Sequence, residues 1–317
     1  MKVALAGDTM LGRAVGTAIE RRSAAAIVHP DVIEAVSDND LFVLNLECCI
    51  STRGVRWPDP RKPFFFRAPP EAVEVLTILG VDCVTLANNH ALDYGYQALA
   101  DTLHYLEEAG IAVVGAGEDQ AAARRHLTLE AAGSRLRVVA FADHPADFAA
   151  GHDTPGIAYV DLLRGVGDWI RGAVSESPDP VLVTPHWGPN MTESPVPSVR
   201  RAARDLRDAG ATLVAGHSAH VFHGVAERII YDMGDFVDDY AVDPILRNDL
   251  GLVFLVDLTP SGPERIEAIP ITLDFCHTRL ARDDEFDWIE SRLRRVCAAM
   301  GSTVTRVGSR LLVETGG

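Results

Sequence analysis

The feature that most constrains the fold is a repeated unit in which a short apolar run ends in small or polar residues and a helical pattern follows. Runs of this kind are KVALAG, DLFVLNLE, VDCVTLANNH, GIAVVGAG, LRVVAFADH, PVLVTPHWG and ATLVAGHSAH. Helix-like segments such as EAVEVLTILG and VRRAARDLRDAG lie between them and end in Gly, a common helix stop. Near-continuous apolar strands that alternate with helices are typical of a sheet covered on both faces. The sequence therefore predicts an α/β fold.

The pattern changes after about residue 225. RIIYDMGDFV, LGLVFLVDL and RIEAIPITLDF follow one another with turns between them and no helix, which predicts a more antiparallel part that completes a second sheet. A closing helix at about 283–299 and a strand-like RLLVE end the chain. Because no linker or internal repeat interrupts this order, we expect a single domain over 1–317.

Charge and hydropathy exclude several classes of function. The 317 residues carry a formal net charge of −16, which argues against a nucleic-acid partner or an anionic membrane surface. No run approaches the roughly 18 apolar residues of a membrane helix. The N-terminal MKVALAGDTMLGRAVG has too short an apolar part for a signal peptide. We therefore expect a cytoplasmic protein with no membrane partner.

Polar side chains stand at or just beyond the carboxyl ends of five predicted strands. They are Asp8, Glu47, Asn89, His90, His186, His217 and His220. In open α/β sheets this edge is where ligands bind. A single one of these residues could cap a helix or satisfy the core, but the whole set is hard to explain by packing. The sequence predicts a site at this edge and leaves open whether its histidines hold a metal or move a proton.

Six motifs occur in a fixed order between residue 7 and about residue 240. They read GDTMLGR, NLECCIS, LANNHALDYG, HWGPN, GHSAHV and YDMGDFVDDY. In this order they resemble the bacterial CapA-like proteins associated with capsule and poly-γ-glutamate synthesis, which share the calcineurin-like metallophosphoesterase fold. The resemblance implies an α/β sandwich of two mixed β-sheets flanked by helices.

The same resemblance implies a dinuclear site for a divalent metal such as Mn, Zn or Fe. Its ligands would be Asp8, Glu47, Asn89, His186, His217 and His220. The family pattern begins Asp-x-His, but here Met10 stands in the histidine position, and a thioether is a poor ligand for a hard ion. Ala91 stands where an aspartate usually follows the Asn-His pair, and the last two histidines have one extra residue between them. We therefore expect a degraded metal site.

Two functions follow from these resemblances. The subgroup motifs HWGPNM, GHSAHV and GDFVDDY also resemble the cofactor-independent epimerases of lasso-peptide (RiPP) biosynthesis. That implies an isomerase that inverts a Cα stereocentre of the C-terminal residue of a ribosomal precursor peptide, with no required cofactor. Its two bases would be Asp8 and His220, with His217 and His90 as further catalytic candidates. The alternative is a metal-dependent hydrolase or phosphoesterase of CapA type, accessory to poly-γ-glutamate metabolism. The impaired metal site makes the epimerase our first hypothesis.

Other residues are candidates for substrate contact or support. They are Arg13, Arg67, Trp187, Asn190 and Arg247 for the substrate, with Lys62 as a further cation and Asp235, Asp238 and Asp239 behind the histidines. Guanidinium groups bind carboxylates and phosphates bidentately, although each arginine could equally form an internal ion pair. The phenylalanines of KPFFFRAPP could face a peptide side chain or fill the core. We expect a peptide substrate, delivered with a leader-binding partner protein.

Overall fold

The first strand, β1 (Lys2–Thr9), lies in the middle of the larger of the two main sheets and is buried along almost its whole length. The computed structural model describes residues 1–316. Val3, Ala4, Leu5 and Ala6 are at most 1% exposed, because the strand has neighbours on both edges and packed layers on both faces. This burial explains why the run is apolar without alternation.

The remaining elements follow along the chain. The strands are β2 (Leu41–Leu46), β3 (Cys49–Ile50), β4 (Arg67–Ala68), β5 (Cys83–Thr85), β6 (Ala112–Val114), β7 (Ala116–Gly117), β8 (Leu127–Ala131), β9 (Ser134–Ala142), β10 (Gly156–Ile157), β11 (Val181–His186), β12 (Leu213–Ala215), β13 (Val225–Ala226), β14 (Ile229–Ile230), β15 (Asp235–Val237), β16 (Leu250–Thr259), β17 (Gly262–Asp274), β18 (His277–Leu280), β19 (Ser302–Val307) and β20 (Arg310–Thr315). The helices are α1 (Arg13–Arg21), α2 (Pro30–Ser37), α3 (Ala72–Leu79), α4 (Gly95–Glu108), α5 (Gln120–Ala123), α6 (Asp168–Ser175), α7 (Pro197–Asp208) and α8 (Asp283–Ala298).

Sixteen of these strands form two mixed sheets, and the other four form the two-stranded pairs β3-β4 and β7-β10. The ten-stranded sheet has the order β19-β20-β17-β16-β1-β2-β5-β6, with β15 also paired to β1 and β18 to β17. The six-stranded sheet has the order β13-β14-β12-β11-β9-β8. In the first, β1, β2, β5 and β6 are parallel, and in the second, β9, β11, β12 and β14 are parallel. Both parallel groups bring the carboxyl ends of their strands to one edge.

Alternate residues of the six-stranded sheet face two different cores. Val138, Ala140 and Ala142 of β9 belong to the main core, which includes residues of both sheets. Val139 and Phe141 face the opposite way, into a second core that α6 and α7 cover. This period of two follows from the pleat of a strand. The two sheets therefore pack face to face, with helices outside them.

The C-terminal part differs from the expectation that it completes the second sheet. Of its strands, β13 and β14 join the six-stranded sheet, whereas β16 to β20 extend the ten-stranded one. The connection is antiparallel pairing of β16 with the first half of β1, from Lys2↔Asp257 to Leu5↔Phe254. The reason is that β15 pairs with β1 at Asp8 and Thr9, which leaves the earlier half of that edge free for β16. The closing helix lies within one residue of its predicted limits.

A close backbone approach sets the edge where the site forms. The backbone at Gly7 passes close to the backbone at Gly234. A Cβ atom at Gly7 would lie 1.9 Å from the carbonyl oxygen of Gly234, so no side chain fits at position 7. The crossing places Asp8 opposite Asp235 in parallel register. Among the helices of residues 1–316, none has the length and apolar character that a bilayer span requires.

Candidate active site

The site is centred on Asp8, at the carboxyl end of β1. Its Oδ1 lies 3.7 Å from His186 Nδ1 and 3.6 Å from His217 Nδ1, and its Oδ2 lies 3.3 Å from His220 Nδ1. Asn45 Nδ2 donates to Oδ1 at 2.7 Å and the Ser218 backbone N–H donates to Oδ2 at 3.2 Å. These contacts fix the carboxylate between three histidines that lie at or beyond the ends of strands of the other sheet.

Two groups of donor atoms share Asp8. One consists of Asp8, His186 and His217, and the other of Asp8, Glu47, His220 and Asp235, with the candidate ligand atoms of each group within 4.8 Å of one another. All these residues are buried. Carboxylate oxygens and neutral imidazole nitrogens are the donors that Mn, Fe and Zn accept in proteins. The donor set fits divalent ions, which Asp8 would hold together with the other residues of each group.

Buried polar atoms without a partner support the same fit. Glu47 Oε1, Asn89 Oδ1, His186 Nε2 and Asp235 Oδ2 are buried and make no hydrogen bond within the described chain. Glu47 Oε1 and His186 Nε2 lie 3.9 Å apart. A buried polar atom left without a partner costs about 1–3 kcal/mol, so several at one place call for a bound group. His186 thus belongs to the candidate ligand set together with the acidic residues, and Asn89, whose amide oxygen is also buried without a partner in the described chain, stays a predicted ligand.

The electrostatics of the site also favour a bound cation. Burial, together with the charge of Asp8, raises the pKa of Glu47 well above its usual range. Burial likewise raises the pKa of Asp235, although His220 opposes the shift. Burial lowers the pKa of His217 to about 4 and lowers the pKa of His186 as well. Crowded carboxylates beside neutral imidazoles are the state that a divalent ion stabilises.

His220 has the opposite behaviour. Burial alone would lower its pKa, but the charges of Asp235 and Glu47 and hydrogen bonds to Asp235 and Asp8 outweigh burial and raise it well above the usual value. Its Nδ1 lies 2.8 Å from Asp235 Oδ1. Burial by itself would raise the pKa of Asp8, but His220, His217 and Asn45 outweigh this effect and lower the pKa. Without a metal, His220 is therefore the positive partner of these carboxylates.

His90 stands beside the metal ligands with its own acidic partner. Its Nδ1 lies 2.6 Å from Asp93 Oδ2, whose other oxygen lies 2.9 Å from Lys62 Nζ, and its Nε2 lies 3.9 Å from Glu47 Oε1. Burial lowers the pKa of His90 to about 4, against the opposing effect of Asp93. The aspartate missing at Ala91 is therefore supplied two residues later. Asp93 lies within the motif LANNHALDYG, but the sequence did not indicate that the turn returns its carboxylate to His90.

Met10 supplies no ligand. The residue is fully buried, and its Sδ accepts a hydrogen bond from the Gly12 N–H at 3.1 Å. The expected loss of a histidine ligand at this position therefore holds. Asp235, whose carboxylate contacts His220 at 2.8 Å, adds an acidic donor to the half of the site that contains Glu47.

Two further residues of the site escaped the sequence analysis. Thr184 Oγ1 lies 3.1 Å from His217 Nε2 and fixes the ring orientation. Tyr240 donates its hydroxyl to Glu47 Oε2 at 3.2 Å. A strand-internal threonine and a loop tyrosine carry no metal-ligand spacing, so only the GDFVDDY motif hinted at the second of them.

The predicted substrate residues fall into three groups. Arg13 lies at the mouth of the site, bonded to Asp239 at 3.2 Å, and Arg67 lies nearby over the ring of Tyr94. Asn190 is exposed on the loop after β11. The prediction for Trp187 is wrong, because this residue is 2% exposed and donates Nε1–H to the Tyr231 carbonyl, so it fills the second core. Arg247 is bound bidentately to Asp249, and its contact with a substrate stays a prediction.

The pair of bases in the epimerase hypothesis does not fit this arrangement. Asp8 Oδ2 and His220 Nδ1 are 3.3 Å apart and contact each other directly. Two bases that act on opposite faces of a Cα atom must have that carbon between them, which requires a wider gap than a hydrogen bond. In this structure Asp8 and His220 contact each other, and His186, His217 and Glu47 surround them.

Sequence comparison relates the chain to named bacterial proteins. A profile described as "Bacterial capsule synthesis protein PGA_cap" matches residues 2–240. The chain is 34% identical over 294 residues to a probable polyglutamine synthesis accessory protein of Mycobacterium tuberculosis, covering 86% of this chain and 76% of that protein. It is 29% identical over 280 residues to the PGA biosynthesis protein CapA of Bacillus subtilis, covering 86% and 72%.

Solved structures show the same fold at low sequence identity. A hypothetical protein from Thermus thermophilus superposes with a TM-score of 0.52 at 17% identity, covering 86% of this chain and all of that one. A novel phosphatase of Mycoplasma pneumoniae superposes with a TM-score of 0.52 at 15% identity, covering 86% and 94%. The predicted calcineurin-like α/β sandwich is thereby confirmed. The profile match spans three quarters of the sequence, and the chain belongs to the bacterial capsule synthesis (PGA_cap, CapA-like) family.

Proposed function

We propose that the protein is a metal-dependent hydrolase that acts as a CapA-type accessory of poly-glutamate metabolism. The observation that carries this proposal is the set of unpartnered ligand atoms, Glu47 Oε1, His186 Nε2 and Asp235 Oδ2, on residues of the buried cluster around Asp8. The names of the relatives, which refer to polyglutamine synthesis and to PGA biosynthesis, support the choice of polymer.

Most residues of the candidate active site would bind the metal ions or orient the ligands. The ions would be held by Asp8, Glu47, Asn89, His186, His217, His220 and Asp235. Divalent ions in such a site lower the pKa of water and stabilise charge on the leaving group. Asn45 and Ser218 orient the Asp8 carboxylate, and Thr184 orients His217. Substitution of these orienting groups should weaken metal binding without removing a ligand.

His90 is the residue we assign to proton transfer. With Nδ1–H donated to Asp93, the imidazole presents Nε2 as an acceptor toward the metal cluster, 3.9 Å from Glu47 Oε1. Phe66 stacks on this ring with a centroid distance of 3.8 Å and keeps water from one face. A held, neutral histidine at the edge of the cluster can take a proton from one group and return it to another.

Metal content and hydrolysis together test the proposal. The purified protein is analysed by elemental mass spectrometry before and after incubation with Mn or Zn, and is then assayed on nitrophenyl phosphate esters and on γ-linked glutamate oligomers with and without a chelator. We expect retained metal and chelator-sensitive hydrolysis that Asp8→Asn abolishes. The exposed Asp153→Asn serves as the matched control. A reconstituted protein that keeps no metal would contradict the proposal.

Peptide epimerisation is the second candidate, and the observation in its favour is Met10, which removes a ligand from the metal site. Since Asp8 and His220 contact each other, the two bases would have to be other groups, such as His90 opposite His220. The discriminating measurement is deuterium uptake at Cα of a peptide incubated with the protein in D2O. Uptake that survives a chelator would favour epimerisation, and hydrolysis without uptake would favour the first proposal.

A further inference from the structure

A basic groove lies beside the metal cluster, between α1 and β4. It has a volume of about 440 Å³, and the lining residues on which the argument depends are Arg13, Arg56, Arg67, Phe65, Tyr94 and Glu20. Three arginines and one glutamate meet here in a chain whose net charge is −16. The groove is thus a positively charged site on a negatively charged protein, and a site of this kind attracts anions.

Aromatic rings hold the three guanidinium groups. Arg67 Cζ lies 4.1 Å from the ring centre of Tyr94, and Arg56 Cζ lies 5.1 Å from that of Phe65. The Phe65 and Tyr94 rings contact each other edge to face, with centroids 6.4 Å apart. A guanidinium over a ring face keeps its N–H edge available for carboxylates, at a low cost in side-chain entropy. The rings therefore orient the arginines before any ligand arrives.

Two of the arginines have no acidic partner. Within residues 1–316, neither Arg56 nor Arg67 lies in an ion pair of 4.0 Å or less, and the bond that Arg67 makes is to the carbonyl oxygen of Arg53, at 3.0 Å. Arg56 is exposed, and Arg67 is half-buried. The groove thus offers two unneutralised bidentate donors, and Arg13 stands at its inner end.

Arg13 connects the groove to the metal cluster. Its guanidinium lies 5.5 Å from the ring centre of Phe66 and 5.8 Å from that of Tyr240, whose hydroxyl bonds to Glu47. Asp239 holds it in place, because one carboxylate oxygen pairs with Nη2 of Arg13 at 3.2 Å and the other accepts the Ala14 N–H at 2.8 Å. A chain lying in the groove would therefore lead directly to the cluster.

The backbone at Arg13 is strained to reach this position. Its φ is +51°, in the left-handed region that costs a non-glycine residue about 1 kcal/mol or more. The surrounding contacts to Asp239 maintain the conformation. Strain of this kind at the junction of a groove and a buried cluster indicates that the direction of the side chain matters for function.

We propose that this groove binds successive carboxylates of an acidic, glutamate-type chain whose reacting end lies in the metal cluster. The proposal rests on the proposed function for the reacting end. The three guanidinium groups each lie over an aromatic ring and form a row of separate binding sites. Such a row suits a polymer that carries one carboxylate per unit. A single phosphate would instead require several donors that converge on one point. The net charge of −16 disfavours a nucleic acid as the occupant, because the rest of the chain would repel its many phosphates.

Binding of a γ-linked hexaglutamate to the metal-free, full-length chain tests the groove by itself, by isothermal titration calorimetry in chelator at low and at physiological salt. Hydrolysis cannot occur under these conditions, so the result does not depend on the proposed function. We expect binding that weakens with salt, and a loss of about fivefold or more for Arg56→Gln and for Arg67→Gln, since each removes a charge-assisted contact. Arg124→Gln is the matched control, because Arg124 also lies over an aromatic ring, that of Trp169, outside the groove.

The outcomes separate the two proposals. No binding by the wild type, or equal losses in Arg124→Gln and the groove variants, would overturn the groove even if chelator-sensitive hydrolysis is found. Tighter binding of a polyphosphate of equal charge, lost in the same variants, would overturn the choice of carboxylates. Arginine-dependent binding of hexaglutamate supports the groove even if the metal assay fails.

Discussion

Replacement of Glu47 with Gln separates the two roles of this side chain, as a metal ligand and as a buried charge. In the metal-free protein Glu47 Oε1 has no partner within the described chain, and its burial beside Asp8 raises its pKa well above the ordinary value of 4.5. The glutamine keeps the shape and the hydrogen bond from Tyr240 but carries no charge. We therefore expect Glu47→Gln to stabilise the metal-free protein and to remove most of its response to metal.

The magnitudes follow from burial and from mass action. An ion at 100 times its dissociation constant stabilises the native state by about 2.7 kcal/mol. At about 2.1 cal/mol/K per residue, unfolding of 317 residues has an entropy of about 0.67 kcal/mol/K, so one ion raises Tm by about 4 °C. Relief of a buried, unpartnered carboxylate is worth about 1–3 kcal/mol, or roughly 1.5–4.5 °C. The two effects of the substitution thus have opposite signs and similar sizes.

The pH dependence has a definite sign. Because the folded-state pKa of Glu47 exceeds its unfolded value, the folded state holds the proton longer. The metal-free wild type should therefore lose stability as the pH rises from 4.5 through the raised pKa, and Glu47→Gln should reduce this loss.

Thermal unfolding with and without Mn, at about pH 5 and pH 8, measures all three effects, with the exposed Glu264→Gln as control. A variant with a lower metal-free Tm and an intact response to Mn would refute the reasoning.

Three further substitutions have defined outcomes. Asp93→Asn should reduce kcat by about 100-fold while metal content stays unchanged, because the amide lacks the negative charge that keeps the proton of His90 on Nδ1. An equal loss of metal would contradict this. Met10→His should tighten Mn binding about tenfold or more by adding an imidazole ligand, as measured by competition with a chelating dye, and unchanged affinity would count against it. His223 has a pKa lowered to about 4, chiefly by burial, so the wild type should lose up to about 3 kcal/mol as the pH falls from 6.5 to 4, and His223→Gln should flatten this loss in denaturant titrations.

The residues of the site could be predicted because ligands bind at the carboxyl ends of parallel strands. Such a prediction depends only on the local sequence pattern and on parallel pairing. Asp8 and His186 each lie at the end of a strand, and Glu47 and His217 follow one within two residues. Parallel registers then bring these ends to a common edge, as the bridge between His186 and His217 shows. A prediction of this kind needs the direction of the strands and no detail of the side chains.

Contacts between distant loops could not be predicted in the same way. Tyr240 and Glu47 are 193 residues apart, and their hydrogen bond depends on how the chain after β15 crosses the site. Asp93 replaces the expected aspartate at Ala91 because the turn between β5 and α4 folds back on His90. The hypothesis of opposing bases failed for the same reason, since the residue names did not reveal that Asp8 and His220 lie in contact.

Because β16 pairs with β1, the folded unit extends beyond the residue at which the family match ends. The match ends at residue 240, whereas the strand that protects Lys2–Leu5 begins at Leu250. A chain cut between these points would keep every candidate ligand and yet present the central strand as an open, apolar edge. Such an edge adds strands from other molecules. The shortened chain should therefore associate with itself. By covering the edge of β1, β16 protects the protein from aggregation.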